Sequence, residues 1–210
     1  MRVLIAVSGQ GEGPARWILR AAYYISLLAG IGSLGYVGYA LLDTYTYQAV
    51  EKVRFEASSA PAEPSPAVTQ PVADGSIIGE IELPRVGLKA IVVQGDSVAL
   101  LRRAVSHLSQ TALPGRTGNV ALAGHRDGLF RPLRNVLPGD TITLRTPERD
   151  FRYEVEWTAV VPPSAVGVIQ PTSDRKLTLI TCFPFYYVGA APERFIVRAR
   201  EVGQSTQPSP

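Results

Sequence analysis

Cys182 is the one cysteine in a chain of 210 residues, and it ends a strand-like run, Lys176-Leu177-Thr178-Leu179-Ile180-Thr181-Cys182, which Phe183-Pro184 closes. Proline has no N–H to give to a ladder, so pairing should stop there and leave the thiol at the rim of a sheet or barrel. Most free cysteines are small buried hydrophobes. A thiol at an accessible rim is instead a candidate nucleophile, provided a base or acid partner lies near it in space, however distant in sequence. Two histidines are available for that role. His125 ends the run Asn119-Val120-Ala121-Leu122-Ala123-Gly124-His125, again at a strand terminus, with Gly124 permitting close backbone approach. His107 falls between Val105 and Leu108 beside a helix-like stretch and reads as structural. Attack of a thiolate on a carbonyl creates an oxyanion, and arginine suits it because it stays charged and offers several donors. Arg194, Ile196 and Arg198 alternate with Phe195, Val197 and Ala199. If the second set is core, both arginines face away from it, and alternation alone does not choose between them.

The elements that must position these groups read mostly as strands. Phe151, Tyr153, Val155 and Trp157 alternate with Arg152, Glu154, Glu156 and Thr158, the period of two of a half-buried strand. Residues 141–145 alternate in the same way after the turn-forming Leu137-Pro138-Gly139-Asp140. Further strand-like runs are 77–83, 90–94, 119–123, 176–182 and 194–200. Residues 97–105 read as a helix, and one short turn is expected around 129–136. Seven or more short strands punctuated by proline and glycine predict a closed barrel or a sandwich.

Composition sets outer limits. With 46% hydrophobic and 19% charged residues the chain has enough apolar material to fold. One cysteine excludes an internal disulfide, and one cysteine with two histidines is too few for a zinc-finger cage or an iron–sulfur cluster. A net charge of +3, with no basic run carrying interleaved aromatics, argues against nucleic acid as a partner.

Those averages conceal several segments. Residues 21–42 carry no charge, and at about 1.5 Å per residue a helix of that length covers roughly 33 Å, enough to cross the hydrocarbon core. Tyr23, Tyr24, Tyr39 and Trp17 stand where interfacial anchors would. Arg2, Arg16 and Arg20 precede the span against a single Glu12, while the charges after it roughly cancel, so residues 1–20 are expected in the cytoplasm and everything after Leu42 outside. Residues 43–73 read as a stalk and linker, since the stretch from Ser58 to Val72 holds four prolines and three serines. Residues 74–202 form the expected catalytic domain, and 203–210 a disordered tail.

Three stretches together resemble one family. Thr178-Leu179-Ile180-Thr181-Cys182 resembles the Thr-Leu-x-Thr-Cys motif of the sortases. Gly118-Asn119-Val120 followed by Ala123-Gly124-His125-Arg126 is similar to the segment bearing their histidine, and Glu193-Arg194-Phe195-Ile196-Val197 to the strand bearing their arginine. The details are most like the class D sortases. The resemblance implies a mostly β fold, a closed eight-stranded barrel with one or two short helices behind a single transmembrane helix. It implies Cys182 as nucleophile, His125 as acid and base, and Arg194 as the oxyanion and substrate-binding group, which leaves Arg198 as a surface residue. Thr181 and Phe183 are candidate substrate contacts, although strand parity turns Thr181 away from the face of Cys182. Phe185, Tyr186 and Tyr187 could line a groove or simply pack at the rim, and Asp127 reads as a loop residue.

The implied reaction is cleavage of a Leu-Pro-x-Thr-Gly-like signal near the C-terminus of an exported protein. The acyl group would pass to an amine of a peptidoglycan precursor or to a pilin lysine, at the bacterial plasma membrane. No cofactor is expected; some sortases use calcium, but no acidic cluster supports a metal here. An L,D-transpeptidase would carry a His-Gly-Cys type motif, and a papain-like protease places its cysteine before its histidine. A hydrolase on the same scaffold and a non-enzymatic anchored β-domain are the alternatives.

Overall fold

The computed structural model describes residues 14–58, 72–187 and 189–205. Residues 1–13, the proline-rich connector at 59–71 and the end of the tail at 206–210 lie outside the described residues. Contacts divide the chain between Asp43 and Thr44 into two units.

The first unit is helical. Helix α1 covers Pro14–Ser58, and it is long and apolar enough to cross a membrane. Ile25, Leu28, Ile31 and Leu34 on it are exposed, as lipid-facing side chains are.

The second unit opens with the last turns of α1. Residues 43–58, expected as the start of a stalk, therefore continue as helix. Tyr47, Glu51 and Phe55 recur every four residues and form one stripe. Phe55 is buried with Ile91, Val93 and Ala104, and Tyr47 packs against the same cluster. Ion pairs three and four residues apart, Glu51 with Arg54 and Lys52 with Glu56, add support along the helix. Gln48 bonds in both directions: its Oε1 accepts the Ile91 N–H at 2.8 Å, and its Nε2 donates to the Arg103 carbonyl at 2.6 Å.

Eight strands follow: β1 (Ile77–Leu83), β2 (Leu88–Gln94), β3 (Val105–His107), β4 (Gly118–Ala123), β5 (Thr141–Arg145), β6 (Asp150–Val161), β7 (Arg175–Phe183) and β8 (Glu193–Ser205). They close into a barrel in the order β1-β2-β3-β4-β7-β8-β6-β5. Two neighbouring pairs, β2–β3 and β4–β7, are parallel; the others are antiparallel. The interior is filled by alternating side chains, among them Ile81, Leu83, Leu122, Leu144, Tyr153 and Leu179, all buried. The eight-stranded barrel inferred from the family resemblance is the architecture found.

Several local expectations change. Residues 97–105 are not one helix: α2 covers Val98–Arg103, and Val105 begins β3. On β6, Phe151, Tyr153 and Val155 are buried, but a register shift between Val155 and Trp157 reverses the alternation and leaves Trp157 41% exposed. Gly203, Gln204 and Ser205 pair with Arg152, Phe151 and Asp150, so this part of the expected tail is strand.

The turn at 137–140 forms as expected. Gly139 takes φ +89°, which glycine adopts without steric cost. The Asp140 carboxylate accepts the Leu137 N–H at 2.8 Å and two bonds from Arg85 in the β1–β2 connection. Those guanidinium bonds hold the Asp140 carboxyl below the usual carboxylate range.

Candidate active site

Cys182 stands one residue before the end of β7, half-buried, its thiol free. Pro184 ends the strand as its missing N–H requires. On one side β7 runs parallel to β4, in unbroken register from Gly118–Arg175 to Ala123–Ile180. The Gly124 N–H carries the ladder one step further, donating to the Ile180 carbonyl at 3.1 Å. His125 and Cys182 each lie two residues beyond Ala123 and Ile180, the last register pair of the two strands. On the other side β7 runs antiparallel to β8, and there Cys182 is directly opposite Arg194. Cys182 and Arg194 are thus paired across β7 and β8, and His125 follows the end of β4, the strand on the other side of β7, by two residues.

Local structure fixes each member. Thr181 is buried, and its Oγ1 donates to the Gly124 carbonyl at 2.8 Å. Its hydroxyl therefore joins the cysteine strand to the histidine strand. The Phe130 ring lies against Gly124 so closely that a Cβ there would stand 2.8 Å from it. The His125 carbonyl accepts the N–H groups of Gly128 and Phe130, which curls the chain directly after the histidine. His125 is exposed. Arg194 folds back on its own loop, Nη1 donating to the carbonyls of Glu193 at 2.9 Å and Ala191 at 3.3 Å. Its Nη2 and Nε keep donors without a partner among the described residues.

The neighbouring candidates sort by burial. Phe183 is half-buried and its ring meets those of Phe185 and Phe195 at centroid distances of 6.0 and 6.3 Å. Phe185 and Phe195 pack on the barrel core, so these rings form its rim, whereas Tyr186 is 75% exposed. Asp127 is exposed in the turn after His125 and makes no hydrogen bond to it among the described residues. Arg198 is not the surface residue expected: it is 8% exposed, lies over the Trp157 ring at 5.6 Å and donates to the Val168 carbonyl at 2.8 Å. Burial lowers its pKa from the usual arginine value. His107 is structural as expected, but on a strand. Its ring is buried, with Nδ1 2.8 Å from Gln94 Oε1 and Nε2 2.9 Å from the Ala112 carbonyl oxygen. Among the described residues no three His, Cys, Asp or Glu side chains cluster as metal ligands.

Sequence reasoning passed over Arg126. It is 9% exposed, its Nη2 donates to the carbonyls of Tyr187 at 2.7 Å and Gly189 at 2.9 Å, and its guanidinium lies over the Tyr187 ring at 5.8 Å. Only its place beside His125 could have drawn attention to it.

The structure is a closed eight-stranded barrel with Cys182 and His125 two residues beyond the last pair of the parallel β4–β7 ladder and Arg194 opposite the cysteine on β8, the groups that a thiol acyl-transfer site would need. Comparison with known proteins agrees. The Sortase domain model matches residues 81–202. Sortase D of Bacillus subtilis (strain 168) is 30% identical over 190 residues, covering 84% of this chain and 95% of that protein. The structure of a Clostridium perfringens Sortase D5 transpeptidase superposes with a TM-score of 0.65 at 23% identity, over 75% of this chain and 99% of that one. A sortase C of C. perfringens, solved with the C-terminal cell wall sorting motif, superposes with a TM-score of 0.58 at 24% identity, over 77% and 88% of the two chains. The chain belongs to the sortase family. Members of that family are cysteine transpeptidases, and class D sortases are among its relatives.

Proposed function

We propose that this chain is a membrane-anchored transpeptidase that cleaves a Leu-Pro-x-Thr-Gly-like sorting signal after its threonine and passes the acyl group to an amine of the cell envelope or a pilin. The observation that supports the reading is Cys182 directly opposite Arg194 across β7–β8, with His125 as far beyond the β4–β7 ladder on its strand side as Cys182 is on the other.

In this scheme the Cys182 thiolate attacks the threonine carbonyl carbon. A C–S bond forms and an electron pair moves onto the oxygen, where free Arg194 donors stabilise it. Imidazolium at His125 gives its proton to the departing glycine nitrogen as the C–N bond breaks, leaving a thioester. An acceptor amine then attacks, loses its proton to the now neutral His125, and the C–S bond breaks to restore the thiolate. One amide is lost and one gained, so no nucleoside triphosphate is consumed. Helix α1 supports the anchor, and the charge asymmetry around residues 21–42 supports an outward-facing catalytic domain.

The test uses the full chain in detergent micelles with a Leu-Pro-x-Thr-Gly/Ala peptide library and triglycine, read by mass spectrometry. Joined product from wild type, and none from Cys182→Ala, His125→Ala or Arg194→Ala, is the expected result. Cleavage without joining would instead indicate a hydrolase. No reaction, with a Cys182 that also resists alkylation, would overturn the enzyme reading.

A further inference from the structure

Arg126 carries a positive charge into a nearly buried position, and no carboxylate meets it among the described residues. Burying a charge requires compensation. Here the compensation comes from two carbonyls and one ring, and all of them belong to the loop between β7 and β8. The other terminal nitrogen, Nη1, is buried with no partner among the described residues. A side chain serving only to fill space would not bring an unsatisfied donor inside. The loop it holds has Cys182 at one end and Arg194 at the other, and its far end is bound by Arg194 through Ala191.

We propose that Arg126 is a positioning residue for the transfer reaction, fixing the β7–β8 loop to the histidine end of β4. Its backbone is continuous with His125 and its side chain holds Tyr187 and Gly189, so the histidine and the loop move as one body. With the loop held there, Arg194 can exchange its contact with Ala191 for a substrate oxygen without the loop following it. Arg134 adds a weaker hold, donating to the Tyr186 hydroxyl at 2.6 Å, but that pair is exposed and water competes for it. A lysine at 126 would offer donors to the same two carbonyls without the orphaned Nη1.

The activity arm of this inference rests on the transpeptidase reading; the structural arm does not. Full-length wild type, Arg126→Ala and Arg126→Lys in micelles are compared by amide hydrogen exchange over 185–187 and 189–191, by Cys182 alkylation with iodoacetamide, and by kcat and KM for the sorting peptide. Arg126→Ala is expected to raise loop exchange at least tenfold and lower kcat/KM at least tenfold. Exchange in β4 and β7 should stay unchanged, Cys182 alkylation should not slow, and Arg126→Lys should recover most of both losses. Loop exchange within twofold of wild type in Arg126→Ala overturns the proposal. So does an increase spread equally through β4 and β7, or a lysine variant as impaired as the alanine one. Should wild type join no peptide, the functional reading falls and loop exchange alone decides the role of Arg126.

Discussion

Thr181 Oγ1 donates to the Gly124 carbonyl oxygen at 2.8 Å, so the residue before the cysteine is bonded to the residue before the histidine. That bond ties the end of β7 to the segment that carries His125. Thr181→Val leaves a buried carbonyl without its donor, which costs about 1–3 kcal/mol. Differential scanning calorimetry should show Tm lower by several degrees, and kcat should fall with it. Thr181→Ser keeps the hydroxyl and should restore kcat; failure to do so would assign Thr181 another role.

Gly124 is required by the ring beside it. A methyl group there meets Phe130 at 2.8 Å, and overpacking of this kind costs about 1–3 kcal/mol. Gly124→Ala should reduce both Tm and kcat by displacing the segment that carries His125. Adding Phe130→Leu should recover part of the loss, and a double variant no better than the single would count against this cause.

His107 predicts acid sensitivity. Burial lowers its pKa below the ordinary 6.5, outweighing the Ala112 carbonyl that acts in the other direction. The unfolded chain then binds the proton more readily than the folded one, so stability rises with pH in that interval. The contribution is complete above about 6.5 and is lost as pH falls from there through the depressed folded value. The hydrogen-bond partners of the ring are Gln94, Thr111 and the Ala112 carbonyl, and Asp74 and Arg116 line the same cavity as the ring. Tm should decline between pH 7.5 and 5.5, and His107→Gln should flatten that decline.

The end of α1 should stabilise the barrel. Phe55 is 7% exposed, and burying a phenylalanine contributes about 1.5–3 kcal/mol. A fragment beginning at Thr44 should therefore melt several degrees above one beginning at Asp74. Phe55→Ala in the longer fragment should remove most of the difference.

Much of this architecture was legible because period and punctuation are local. The run ending at Cys182, the break at Pro184 and the Leu-Pro-Gly-Asp turn depend on a few adjacent residues. What escaped was decided at a distance. β3 has three residues, Val105, Ser106 and His107, too few to show a period, and only Ala104 separates it from α2. Trp157 continued the pattern of its strand on paper, but the register shift that turns it outward depends on pairing with β8. The resemblance, in pointing to Arg194, leaves Arg198 to the surface, and what covers it, the Val168 carbonyl and the Trp157 ring, comes from distant parts of the chain. Arg126 offered no spacing to read, because its partners lie more than sixty residues downstream.

The brevity of β3 has one more consequence. β2 and β3 pair only from Val92 and Val105 onward, so residues 88–91 have no strand beside them there. An unpaired strand edge is a template onto which another chain can add. Gln48 occupies that edge by taking the Ile91 N–H, and the helix around it covers the opening. The last turns of α1 thus shield an edge that would otherwise lie open. A fragment beginning at Asp74 should therefore associate through β2 as its concentration rises, read by sedimentation velocity, and one beginning at Thr44 should not.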